Sequence, residues 1–347
     1  MKSTDFARLL TRYLGQYLPG QRNLSRETIQ SYRDTFKLLL RFCQAERGWP
    51  AEGVTLAHLD LACLEAFLDW LETARHCSIT TRNQRLAALH AFFRWVAYED
   101  PAQLVMTQRV LAIPRKKGPE VLVPYLTQEA VQRLLAQPSQ SNPQGRRDTV
   151  LLSLLYDTGA RVQELVDLRI RDIRLEAPSV VTLTGKGSKR RTVPLMTPTA
   201  KLVHTYLAER HLDGSAYADH PLFFNPQRQK LTRWGVTYVL HKYVNMAQSS
   251  ADVEFPPRIS PHVLRHSKAV HLLQSGVNLI YIRDFLGHSD VTTTEIYARV
   301  DAETRRLALE ATRIPGVIPE HPSWAEDADL LQWLKQLCRS TEMPNQV

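Results

Sequence analysis

Leu286-Gly287-His288-Ser289-Asp290-Val291-Thr292-Thr293-Thr294-Glu295-Ile296-Tyr297 is the stretch on which the reading of the chain turns. Gly287 has the place of a left-handed cap that releases His288 from a preceding helix. Thr292 and Glu295 have capping-box spacing, in which each side chain satisfies a backbone amide of a new helix. Tyr297 then falls in the opening turns of that helix, near the end whose unpaired N–H groups attract anions. A phenol beside an imidazole at such an end suits a nucleophile aimed at a phosphodiester. It equally suits a ring that packs and a hydroxyl that finds a partner. The rest of the chain has to decide.

Three further stretches bear on the choice. Thr158-Gly159-Ala160-Arg161-Val162-Gln163-Glu164-Leu165 sets an arginine at a helix start. Pro261-His262-Val263-Leu264-Arg265-His266 sets His262 and Arg265 one helical turn apart on one face. Gly185-Lys186-Gly187-Ser188-Lys189 sets a lysine in a glycine-framed hairpin tip. In order, Arg, Lys, His-x-x-Arg, Gly-His and Tyr resemble the signature of the tyrosine recombinases, or phage integrase family, from about Leu126 to Arg313. Leu24 to Phe36 resembles, more weakly, the core-binding domain that precedes the catalytic domain in that family.

Charge and composition agree with a DNA partner. The chain of 347 residues is long enough for two domains with separate cores, and its net charge is +9. That charge is uneven: +3 over residues 1–113, +6 over 114–200, +3 over 201–313 and −3 from 314 on. The excess peaks at a basic linker and the lysine hairpin, as a surface that embraces DNA requires, although a solvated basic face gives the same total. The sequence offers no targeting segment and no apolar run long enough for a bilayer. Cys43, Cys63, Cys77 and Cys338 lack metal or disulfide spacing. A reducing, cytoplasmic setting is expected, with no membrane, no cofactor and no metal.

The expected fold is mainly α with a small antiparallel sheet, an α+β protein. Residues 1–112 read as a helical, SAM-like core-binding domain with apolar stripes at Phe6 to Leu14, Ile29 to Cys43, Leu61 to Leu71 and Leu86 to Val96. Ser78 or Thr80 opens the last of these helices. Arg82 and Arg85 on it are candidates for phosphate contacts, with solubility as the plainer reading. Residues 113–124, with Arg115, Lys116 and Lys117, read as a basic linker that follows DNA. Residues 125–313 are the expected catalytic domain. In it Gln137 to Asp148 reads as a polar loop, and Ile173–Leu175, Val180–Leu183 and Thr192–Leu195 as three short strands. The acidic tail, 314–347, carries a candidate helix over Glu326 to Leu337 that either docks on a neighbouring protomer or folds back on its own domain.

The resemblance implies roles for individual residues. Tyr297 is the nucleophile that forms a 3′-phosphotyrosine. Arg161 and Arg265 hold the non-bridging oxygens, because guanidinium forks match phosphate. Glu164 fixes the direction of Arg161. Lys186 is the acid for the leaving 5′-oxygen, with Lys189 close by as a further DNA contact. His262 assists proton transfer and His288 hydrogen-bonds the phosphate, whereas His266 reads as structural. The implied partner is double-stranded DNA at specific recombination sites, bound by a homotetramer on two duplexes or by a mixed assembly with a related recombinase. Two alternatives stand beside it: a type IB topoisomerase and a non-catalytic DNA-binding accessory protein.

Overall fold

The computed structural model describes residues 3–118, 123–249, 253–288 and Thr294, the Lys186 side chain excepted. The chain divides into two compact units, Met1–Val121 and Leu122–Val347. Among the described residues helices dominate both, and one three-stranded antiparallel sheet lies in the second. Tyr297, the Thr292–Glu295 pair and residues 314–347, with their expected helix, lie outside the described residues.

In the first unit α1 (Asp5–Arg12) is capped by the Thr4 hydroxyl, which accepts from the Ala7 amide. The apolar stripe predicts that this helix runs on through Leu14. Instead the chain widens at Tyr13 into a π-helical stretch, Tyr13–Gln21. The wider turn accommodates Pro19, which has no amide hydrogen for a helical ladder. Tyr13 and Tyr17 stack there with ring centroids 5.7 Å apart. Next come α2 (Arg26–Arg47), closed by Gly48 at φ 68°, α3 (Leu61–Thr73) and α4 (Ile79–Glu99). Ser78 caps α4 by accepting from the Thr81 amide. Phe6, Phe36, Phe67, Phe92 and Phe93 form the buried centre. A further short helix, α5 (Leu104–Leu111), buries only Thr107 and Val110, which is too little apolar pattern to mark it in the sequence.

Two stretches of this unit bear on the candidate DNA contacts. Arg82 and Arg85 each turn a guanidinium nitrogen to protein oxygens. Arg82 is buried and donates to the carbonyl of Pro114 and to Asn83 Oδ1. Arg85 donates to the Ser31 carbonyl and the Thr35 hydroxyl, tying α4 to α2. In each, one terminal guanidinium nitrogen donates to protein oxygens and the buried Nε has no hydrogen-bond acceptor among the described residues. The basic stretch after Ile113 makes contacts with α3 and α4. Asn83 exchanges two hydrogen bonds with the Lys116 backbone, at 2.8 and 3.0 Å, and the Lys116 ammonium sits 2.9 Å from Glu72. Arg115 and Lys117 are exposed.

The second unit is built on α7 (Pro143–Asp157), whose Leu151, Leu152, Leu154 and Leu155 are all fully buried. Before it comes α6 (Gln128–Leu135), capped by Thr127. The polar loop expected up to Asp148 ends sooner, because Asn142 caps α7 and Pro143 occupies its first turn. Arg147 and Asp148, which suggested solvent, are a buried ion pair, with the Tyr243 hydroxyl donating to the second carboxylate oxygen. Then follow α8 (Val162–Asp167), β1 (Ile173–Arg174), β2 (Val180–Thr184) and β3 (Arg190–Pro194). The strands pair in the order β1-β2-β3 with Leu183 opposite Arg191. The helices α9 (Thr197–Glu209), α10 (Arg233–Gln248), α11 (Pro261–Gln274) and α12 (Leu279–Leu286) follow among the described residues. Among the described residues no helix is long and apolar enough to cross a membrane.

Candidate active site

At the end of α7 the Thr158 hydroxyl donates back to Leu154 and accepts from the Ala160 amide, and Gly159 turns the chain at φ 55°. Arg161 therefore stands at the cap position of α8, with Glu164 in its first turn. One Glu164 oxygen accepts from the Arg161 backbone amide and the other from its guanidinium, each at 2.8 Å. The remaining end of that guanidinium donates to the Gly287 carbonyl at 3.2 Å.

Arg265, on α11, reaches the same place from the other side. It is 2% exposed and donates to the Gly159 and Leu286 carbonyls at 2.6 Å each. Gly287 has the left-handed conformation expected of it, φ 65°, and ends α12. The consecutive carbonyls of Leu286 and Gly287 thus gather two arginines from elements far apart in sequence. Burying a cation such as Arg265 beside the partly exposed Arg161 is costly unless the donors are met and a counter-charge is near. Here backbone carbonyls meet the donors and Glu164 supplies the charge.

Glu164 itself is 3% exposed. Burial alone would raise its pKa, but Arg191 and then Arg161 outweigh that and hold it at about 2. Arg191 has no place in the sequence-derived set, yet its fork grips both Glu164 oxygens at 2.8 Å and its Nε donates to the Phe285 carbonyl at 2.9 Å. A signal for it exists in the sequence. Along β3 it shares its parity with buried Val193, so it faces inward, and an inward arginine calls for a carboxylate.

The imidazoles sit beside these cations. His288 is half-buried, with Nδ1 2.9 Å from the Thr294 hydroxyl. Burial, then Arg265 and Arg161, push its pKa down to about 4. His262 presents an exposed edge, and desolvation followed by the same two arginines lowers its pKa. Its ring centroid is 6.4 Å from that of His266, whose pKa burial and the His262 and Arg265 charges lower to about 4. All three are neutral near pH 7 and able to take or pass a proton. If the Thr294 hydroxyl donates to His288 Nδ1, the ring proton is on Nε2.

The β2–β3 tip is closed by the Gly185 amide donating to the Lys189 carbonyl at 2.8 Å. Lys186 begins its turn, with its side chain outside the described residues; Lys189 is exposed. A cavity of about 590 Å³ opens between this tip and the α12 turn, lined by Arg161, Lys189, Arg190, Arg191, Asp284 and His288. Four of these six side chains are arginine or lysine, and of these Arg191 is turned to Glu164. Arg161, Glu164, Arg265 and His288 are thus brought together, with His262 one turn along α11, and Gly185 and Lys189, on either side of the turn that Lys186 begins, line the cavity. Arg82, Arg85, Arg115, Lys116 and Lys117 belong to the first unit. Among the described residues no group of His, Cys, Asp and Glu could hold a metal ion.

Family models match both units: the phage integrase family over residues 124–304, and the phage integrase N-terminal SAM-like domain over residues 10–100. An integrase/recombinase of Sinorhizobium fredii, y4rC, is 36% identical over 311 residues, 90% of this chain and 92% of that protein. Tyrosine recombinase XerC of Roseiflexus castenholzii is 32% identical, over 88% of this chain and 95% of that one. Among solved structures, XerH site-specific recombinase bound to difH substrate in a pre-cleavage complex superposes with a TM-score of 0.64. It is 25% identical, and the match covers 86% of this chain and 83% of that one. The class is therefore an enzyme that breaks and rejoins DNA strands. The chain belongs to the phage integrase family, the tyrosine recombinases.

Proposed function

We propose that the protein cuts and rejoins DNA at specific sites through a 3′-phosphotyrosine on Tyr297, without metal or ATP. The Tyr297 oxygen attacks the scissile phosphorus as its proton passes to a neighbouring base, with His262 assisting. The bond from phosphorus to the 5′-oxygen breaks, and that oxygen leaves as a hydroxyl with a proton from Lys186. Arg161 and Arg265 carry the charge of the two non-bridging oxygens, and neutral His288 donates a hydrogen bond to one of them. The phosphodiester is exchanged for a phosphotyrosyl ester of similar energy, so a second 5′-hydroxyl reverses the step on a new partner. What carries this reading is the convergence of Arg161 and Arg265 on the Leu286 and Gly287 carbonyls, immediately before His288. The domain limits follow the same reading: a DNA-binding unit over residues 1–112, a basic linker over 113–124 and a catalytic unit over 125–313. Residues 314–347 serve contacts between protomers of a homotetramer on two duplexes.

A nicked suicide duplex tests the chemistry. Built on the sequence that the protein selects from a random pool, it should trap a covalent adduct with the wild-type chain, undiminished in chelator and absent with Tyr297→Phe. No adduct on a tightly bound site would favour a binding module, and a strict divalent-metal requirement would refute the mechanism. Relaxation of supercoils without exchange between duplexes would favour a topoisomerase.

A further inference from the structure

Arg191 has a connectivity that the proposed chemistry does not itself require. Its guanidinium is engaged on all three nitrogens: both terminal ones with Glu164 and Nε with the Phe285 carbonyl. Glu164 shares the same two oxygens with Arg161, so one carboxylate bridges two guanidinium groups. The contacts around this bridge are close. A Cβ on Gly185 would lie 2.9 Å from Glu164 Oε1, and a Cβ on Gly287 would lie 2.9 Å from Arg191 Cδ. The hairpin that carries Lys186 is therefore seated on the bridge by one glycine, and the turn that carries His288 by another. Only 11% of the Arg191 side chain meets solvent, so water does not screen the bridge.

Resting on the cleavage reading above, we propose that Arg191 is a positioning residue for Arg161. It touches no reacting atom. It fixes Glu164, and through Glu164 the direction in which Arg161 presents its charge to the scissile phosphate. A bidentate fork specifies both distance and angle, which a single ammonium cannot do.

Full-length Arg191→Ala and Arg191→Lys proteins test this on the nicked suicide duplex described above, beside the wild type. The alanine variant should bind the duplex within about twofold of wild type and form adduct about 100-fold more slowly, the scale of an ångström-level misplacement. The lysine variant should recover only part of the rate and remain about tenfold slow. The decisive readout is a duplex whose scissile phosphate is replaced by a methylphosphonate. That group carries no charge, so Arg161 has little to stabilise, and both variants should then cleave within about fivefold of wild type. A loss of equal size on both substrates would overturn the role, as would cleavage by either variant at the wild-type rate. Should the alanine variant melt at the assay temperature, the lysine variant gives the same comparison. Absence of adduct with the wild-type protein itself would instead overturn the cleavage reading, and the role with it.

Discussion

Glu164 is the residue whose removal should be felt most widely. Breaking a buried charge cluster by deleting one member costs about 3–5 kcal/mol, because the remaining charges stay buried. Glu164→Gln should lower stability on that scale, seen as a lower denaturant midpoint, and slow adduct formation more than it weakens DNA binding. Its pKa is depressed, from 4.5 to about 2, so its contribution to stability is complete above pH 4.5 and fades as pH falls through about 2. The histidines shift in the same direction for a cation. His288 and His266 drop from 6.5 to about 4, so the unfolded chain binds their protons first. Stability should be full above pH 6.5 and decline toward pH 4, and His288→Gln should flatten part of that slope in pH-resolved melting. Arg161, Arg265 and His288 were legible as residues because their neighbours form short patterns. Arg191 was not, because its partner lies 27 positions away and only the strand register brings them together.

Elements differ in how openly they announce themselves. Helices with a polar cap and an apolar stripe, such as α2 and α4, were read close to their observed limits. α7 was truncated in the reading because Arg147 and Asp148 look like solvent-facing residues until Tyr243 and the Phe224 carbonyl close around them. The π-helical stretch was missed because the apolar period runs unbroken into it and only Pro19 hints at the change. The α12 turn gives a sharper prediction at this scale. Gly287→Ala forces a side chain into the left-handed region, at about 1–2 kcal/mol, and pushes its Cβ against Arg191. The variant should lose at least that much stability, with an unchanged denaturant slope. It should also cleave more slowly than Gly187→Ala, which has the same backbone sign but nothing within 4 Å.

Among the described residues each unit has a main core of its own, one rich in phenylalanine around α4 and the other centred on the leucines of α7, and the second unit adds a smaller cluster of Ala269, Val270, Ile282 and Leu286. Residues 1–121 and 122–347 produced separately should each melt in a single cooperative transition by circular dichroism. A first unit without one would show that its core depends on the second. Charge makes another prediction at this scale. Removing residues 314–347 takes away a net −3, so binding to one duplex should be kept or strengthened, while assembly on two duplexes is lost. A truncated chain that still forms tetrameric complexes in native gels would remove the tail's proposed part in assembly. Hydrophobic period and charge drift are local properties and can be read along the sequence, whereas which partners basic side chains such as Arg82 and Arg85 meet depends on packing.

Arg265 links the Gly159 carbonyl to that of Leu286, and so joins the end of α7 to the end of α12. Neither loop alone offers it a complete nest of acceptors. The guanidinium reaches its working place only when both loops have docked, so on the proposed mechanism the last stitch of tertiary structure also arms the enzyme. A nascent or half-folded copy, on that mechanism, holds DNA without cutting it.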